Sequence, residues 1–379
     1  MRIVENVWKQ DSVFLSEKKR GCERKPERSA FMQRRITRTL MLLSLALLAA
    51  CSNKPADTTP QPEQPPAPIV QPPSAEPPKL PYTAPFTGLG SQTRLDQRPI
   101  MVMINNAPQA RPQSGINKAD LVYEVLAEGE MTRLLAVFHS QRPEVIGPVR
   151  SIRPYFIQLG VGIDAMLVHA GGSPDALNTL ARSDYSHLDE IPNGRYFWRE
   201  KFRHAPHNLY TKPELIEQAM LDKGIRMTGE LPYFPFLPED AEITEGEPAT
   251  KVDLVFHSLN KAGFVYDAEK KKYMRLTEGK PHLDLTTDEQ LSTTNLLVIA
   301  AKHRVLDSEG RRQVDVVGPG DGYLFQQGKA KKIKWKRAGG VIRAYEDASM
   351  TKEVPLLRGK TWVSIVPNAP AMTSYLKFE

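Results

Sequence analysis

Apolar positions follow one rhythm before residue 224 and another after about residue 251. In the earlier stretch, short apolar runs alternate with helix-like segments. Residues 100–104 (IMVMI) read as a buried strand, Leu121–Leu126 as a second, and 134–138 as a third, after the Glu128-Gly129-Glu130 turn signal. Ser151 stands where it would cap a helix running to about Leu159, because Pro154 is tolerated in a first turn. Residues 165–169 (AMLVH) predict a further strand, 175–181 a helix, and Thr211-Lys212-Pro213-Glu214 a capping box for a helix through about Leu221. Strand alternating with helix predicts an α/β or α+β domain over 86–223.

Later the pattern is strand-like throughout, over 252–257, 264–266, 273–276, 296–300, 313–317, 323–325, 333–335, Val341–Tyr345 and 361–366. Turn residues such as Gly318-Pro319-Gly320-Asp321-Gly322 recur between these runs, which predicts a mostly β domain over 252–379. The Pro-, Glu- and Gly-rich segment 224–251 reads as the connection.

The first 85 residues follow neither rhythm. Residues 40–50 (LMLLSLALLAA) are apolar and uncharged, follow Arg34, Arg35 and Arg38, and end at Cys51. A basic region, an apolar stretch and small residues before a cut are the parts of a secretory signal, and eleven residues are too few for a membrane span of about 20. Leu-Ala-Ala before Cys51 resembles a bacterial lipobox, so 32–50 is expected to be cleaved and Cys51 lipidated. The predicted partner is the bacterial cell membrane, with the rest of the chain outside the cell. Signals begin at their basic region, which makes Met32 the expected start and 1–31 an extension of the gene beyond it.

Between residues 55 and 85 twelve of thirty-one positions are proline. Such composition favours extended polyproline II and cannot bury a core, so 51–85 is expected to be a tether that holds the folded part away from the bilayer. Charge supports this division. The formal net charge is +7, but residues 1–50 hold eleven Lys/Arg against five Asp/Glu, so the remainder is nearly neutral and no nucleic-acid partner is expected. With Cys22 in the discarded part and Cys51 acylated, no disulfide remains.

In an open α/β sheet, ligands gather beyond the carboxyl ends of strands. That rule collects His139 and Ser140, then Arg150, Ser151 and Arg153, then His169 with Gly171, Gly172 and Ser173. Amides of a Gly-Gly-Ser turn opening a helix suit an anion, and arginine adds planar donors. Residues 187–210 form a long aromatic and basic stretch in which Ala205-Pro206 presents His207 and Asn208. His204 and His207 lack an evident third ligand, so neither a metal nor another cofactor is expected. Glu124, Glu128 and Arg133 form a further cluster. Glu124 and Glu128 would be ~13 Å apart on one strand face, too far to act as a catalytic pair, and Glu124 against Arg133 predicts a cross-strand ion pair.

Five segments, Arg111-Pro112-Gln113-Ser114-Gly115, 118–124 (KADLVYE), 146–151 (IGPVRS), 168–173 (VHAGGS) and 205–210 (APHNLY), resemble the YerB family of bacterial lipoproteins. That family is described as a domain of unknown function with a separate C-terminal domain, which Gly359-Lys360-Thr361-Trp362 resembles here. The resemblance implies an exported, lipid-anchored protein in two parts and supplies no catalytic residues. The expected function is binding of a polar or anionic cell-envelope component, or an envelope protein, by Arg111, Glu124, Arg133, Arg150, Ser151, Arg153, His169, Gly171, Gly172, Ser173, His207 and Asn208. The alternative is an envelope polymer hydrolase or transferase, with His169 or His207 as base and Glu124 assisting.

Overall fold

The structure, a computed structural model, describes residues 80–257 and 260–379. Cys51, the signal segment and most of the tether lie outside these residues. Ahead of the expected start at Phe86, Tyr82–Thr83 already pairs with Gly90–Ser91.

Eleven strands form one mixed sheet. Its N-terminal members are β1 (Ile100–Asn105), β2 (Leu121–Leu126), β3 (Thr132–Phe138), β4 (Met166–His169) and β5 (His187–Asp189). Three helices accompany them: α1 (Pro154–Val161), α2 (Pro174–Ala181) and α3 (Pro213–Asp222). Each helix has proline in its first turn, where the missing N–H would be unpaired anyway. Arg153, not Ser151, stands at the N-cap of α1. The predicted capping box before α3 does not form either: Lys212 is the N-cap, and the Thr211 hydroxyl donates to the Tyr196 carbonyl. A small hairpin, β6 (Trp198–Arg199) with β7 (Leu209–Tyr210), occupies the stretch expected to be loop.

The C-terminal part is mostly β. A second, antiparallel sheet of six strands contains β8 (Lys251–His257), β9 (Asn260–Asp267) and β10 (Lys272–Thr277). The chain then supplies β11 (Asn295–Ala301), the hairpin β12 (His303–Val305) with β13 (Arg312–Val314), β14 (Gly320–Gln326), β15 (Lys329–Ala338), β16 (Val341–Tyr345) and β17 (Thr361–Pro367) to the body, and β18 (Leu376–Phe378) to the six-stranded sheet. From β15 inward the large sheet runs β15-β14-β11-β17-β2-β3-β1-β4-β5.

The two halves of the sequence meet at β17 and β2, which pair in parallel from Thr361 against Leu121 to Ile365 against Val125. Their runs are buried at every position and mostly apolar because both faces of the sheet are covered, with Glu124, Thr361 and Ser364 as the polar exceptions. Val122 and Leu126 enter one core with Phe264 and Trp362, while Tyr123 and Val125 enter the other with Val363 and Ile365. Residues 224–251 run along this body: Phe236 bridges Leu356, and the Leu237 amide donates to the Leu356 carbonyl at 2.8 Å.

Candidate functional site

Strand alternation sorts the polar residues at one end of the sheet onto opposite faces. Glu124 follows Val122 and Leu126 of β2, whereas Arg133 follows Leu135 and Val137 of β3, which pack in the other core. The register sets Glu124 opposite Leu134 and Arg133 opposite Val125. The cross-strand pair expected between Glu124 and Arg133 is therefore not made, and each finds another partner.

Glu124 is enclosed. One carboxylate oxygen accepts from Arg275 of β10 at 2.9 Å and from Thr132 at 3.1 Å, and the other accepts from the Trp362 indole at 3.2 Å. Arg275 stands over the Trp362 ring at 4.3 Å and donates to His282 Nδ1 at 3.1 Å. His282 Nε2 meets Gln113 Oε1 at 2.7 Å, and Gln113 donates to Asn106 at 2.9 Å. Arg111 joins the same network, donating to Asn106 Oδ1 at 3.1 Å. Burial lowers the Arg275 pKa and, with Arg275 and Arg111 nearby, puts that of His282 well below the ordinary imidazole value. This network ties the N-terminal strands to the second sheet. Sequence reasoning missed Arg275; the available signal was its position two residues from buried Tyr273, at an inward-facing strand site where charge is rare unless paired.

The other face carries arginines in excess of carboxylates. Glu128, in the turn after β2, binds Arg133 at 2.6 Å through one oxygen and Arg153 through the other. Arg133 also donates to the Ser151 carbonyl and Arg153 to that of Ile152, which leaves both Nε atoms buried and without a hydrogen-bond partner. Burial opposes ionisation of Glu128, but Arg133 and Arg153 outweigh it and lower its pKa below the ordinary value. Arg312 of β13 adds a third guanidinium, donating at 2.7 Å to the Gly129 carbonyl. Its hairpin reaches the turn closely: Gly310, at φ +72°, has no room for a Cβ, which would lie 2.7 Å from the Gly129 nitrogen.

Arg150 completes the cluster. It is half-buried, its pKa is lowered first by burial, and its side chain has neither a hydrogen bond nor an ion pair among the described residues. His207 lies beside it and Arg203; burial and then those cations lower its pKa, and its Nδ1 meets Asn105 at 2.9 Å.

The remaining sequence-selected residues are committed to structure. Asn208 holds the hairpin, donating to the Glu200 carbonyl and accepting from Arg199. His169 is fully enclosed between the Gly171 carbonyl and His187, and burial lowers its pKa to about 4. The Gly171 amide donates to Asp189 and that of Ser173 to the Ile152 carbonyl, while the Ser173 hydroxyl caps α2 and Gly172 bridges Ile152. The Gly-Gly-Ser turn is thus bonded internally where an open anion cradle was expected. His139 lies at the opposite end of the sheet, because β3 runs antiparallel to β1 and β2; its ring meets the Gln97 carbonyl. Glu124 and His207 are on different faces and do not form the acid–base pair of the hydrolase alternative. Among the described residues, no group of three His, Cys, Asp or Glu side chains is placed to hold a metal, and no helix is long and apolar enough to cross a membrane.

Residues 86–226 match the family described as "Protein of unknown function (DUF3048) N-terminal domain", and 252–363 match its C-terminal domain. A protein of Bacillus subtilis (strain 168), named "Putative lipoprotein YerB", is 38% identical over 291 residues, covering 76% of this chain and 87% of that protein. The crystal structure of the YerB protein from Bacillus subtilis superposes with a TM-score of 0.72 at 35% identity, over 79% of this chain and 99% of that one. With both domain matches in order and this degree of identity over three quarters of its length, the chain belongs to the DUF3048 family.

Proposed function

We propose that this protein is a lipid-anchored extracytoplasmic binding protein whose arginine cluster takes an anionic group of a cell-envelope component. Anchorage is supported by the lipobox-like sequence at Cys51 and by the name of the Bacillus subtilis relative. Binding rests on one observation: Arg150 is half-buried without an ion-pair partner among the described residues, beside two arginines that share a single carboxylate. Partial burial strengthens attraction for an anion, and planar guanidinium groups match phosphate or carboxylate oxygens. Among the described residues none beside Arg150 forms a nucleophile–base pair, so recognition without turnover is the function this geometry supports best.

The test uses the full chain and soluble poly(glycerol phosphate), with affinity measured by calorimetry. Arg150→Ala should weaken binding about tenfold, the loss of one charge-assisted contact, while leaving the unfolding midpoint unchanged. Undiminished affinity in the variant, or chemical breakdown of the polymer by the wild type, would overturn the proposal.

A further inference from the structure

The surface around Arg150 carries a second feature that anion binding does not use. Ile191 is 73% exposed and Phe202 60% exposed, both high for large apolar side chains. They flank Arg150. The Ala170 amide donates to the Arg150 carbonyl, and the neighbouring Gly171 lies against Ile191, whose Cδ1 would be 3.2 Å from a Cβ added there. On the other side His207 faces both Arg150 and Arg203, and the Arg203 guanidinium lies 5.3 Å from the centre of the Phe202 ring.

Basic side chains outnumber acidic ones on this surface, where Arg150, Arg199, Lys201 and Arg203 stand against Asp189, Glu190 and Glu200. Lys201 and His204 are exposed at the tip of the β6–β7 hairpin, and their side chains have no hydrogen bond or ion pair among the described residues. Of the nearby acids, Glu190 pairs with Arg199, while Glu200 accepts from the neutral Trp198 indole and Asp189 from the neutral Gly171 and Ile191 amides.

We infer that this face docks on an anionic bilayer surface, with Phe202 and Ile191 entering the acyl boundary while Arg150 and Lys201 meet lipid phosphates. The inference rests on the proposed anion affinity of Arg150 and names the anion's source. Apolar side chains set among cations match the layering of a membrane interface, where phosphate lies above hydrocarbon, whereas a soluble polyanion offers Ile191 nothing apolar. Reach is sufficient. Proline-rich sequence separates Cys51 from Leu80, and at ~3.1 Å per residue these positions are separable by on the order of 90 Å. A folded body of ~300 residues has a radius of gyration of about 19 Å, so a tether of that length permits any face to return to the bilayer.

The experiment uses the lipidated protein as the cell processes it, anchored in vesicles of phosphatidylcholine alone or with phosphatidylglycerol, and follows amide hydrogen exchange. Phosphatidylglycerol should slow exchange over residues 199–207 by about threefold or more, without change in the β2 and β17 amides. Phe202→Ser with Ile191→Ser should abolish the difference while leaving Arg150-dependent binding of soluble poly(glycerol phosphate) intact. Equal exchange in the two vesicle types, with that polymer still bound, would sink membrane docking and spare the anion site. Loss of both would end both, and protection of the hairpin by the soluble polymer alone would assign the face to a wall polymer.

Discussion

Two arginine clusters occupy the same end of one sheet, on opposite faces, and their fates differ. Arg275 has Glu124, His282 and two aromatic rings around it, drawn from both halves of the chain. Arg150 has no side-chain hydrogen bond or ion pair among the described residues and is open to solvent on one side. Residue type does not separate them; enclosure does. On the face covered by the second sheet, the cost of burying a guanidinium is met by a carboxylate and ring faces, so that network holds the body together. On the other face Arg133 and Arg153 are also buried, but Arg150 is only half-covered, and its positive charge remains available to something outside the chain.

Removing one partner from each cluster should break this contrast most visibly. Arg275→Ala leaves the Glu124 carboxylate enclosed without its cation, and loss of one member of a buried pair costs on the order of 3–5 kcal/mol. Urea unfolding of the full chain should show a loss of that size. A loss below about 1 kcal/mol would mean the network is far more open than its geometry shows.

Glu128→Ala applies the same operation to the open face. Arg133 and Arg153 lose their shared carboxylate, but Glu128 is partly exposed, so a smaller cost of about 1–3 kcal/mol is expected. Here an anion can take the vacated place. Phosphate should therefore raise the melting temperature of this variant more than that of the wild type, by mass action on the folded state. Equal phosphate effects on both proteins would contradict an accessible cluster.

Much of this contrast was hidden in the sequence for a geometrical reason. Apolar runs mark β1, β2, β4, β11 and β17, and arginines beside turns mark the open cluster, because both signals are local. Pairing is not local. The contact of β17 with β2 joins Thr361 to Leu121, and nothing in either run says which of many buried strands is its neighbour. The direction of β3 is hidden in the same way, which is why His139 was grouped with residues from the far end of the sheet. Glu124 and Arg133 show a third limit. Their faces follow from counting in twos along β2 and β3, but which residues oppose each other depends on the register across the turn. Arg150 was legible as a candidate, yet its lack of a partner is a property of everything packed around it.

Acid titration separates enclosed groups from open ones by the pH at which each is lost. His169 has its pKa lowered to about 4 by burial, against an ordinary value of 6.5. The unfolded chain takes up a proton as pH falls through 6.5, while the folded chain does not until about 4, so stability is full above 6.5 and declines between those values. His282 is lowered in the same direction and adds to the decline. Glu128 behaves differently: its contribution is present above its ordinary value of 4.5 and is lost only as pH falls through its lower folded value. Urea midpoints measured in steps from pH 7 to 3 should therefore fall first through the histidines, between 6.5 and about 4.5. His169→Gln should reduce the slope by about 1.4 kcal/mol per pH unit, the linkage of one proton, whereas Glu128→Gln should leave that interval unchanged and flatten only the more acidic one. An unaltered slope in His169→Gln would show that His169 is protonated within the folded body, which its contacts with the Gly171 carbonyl and His187 argue against.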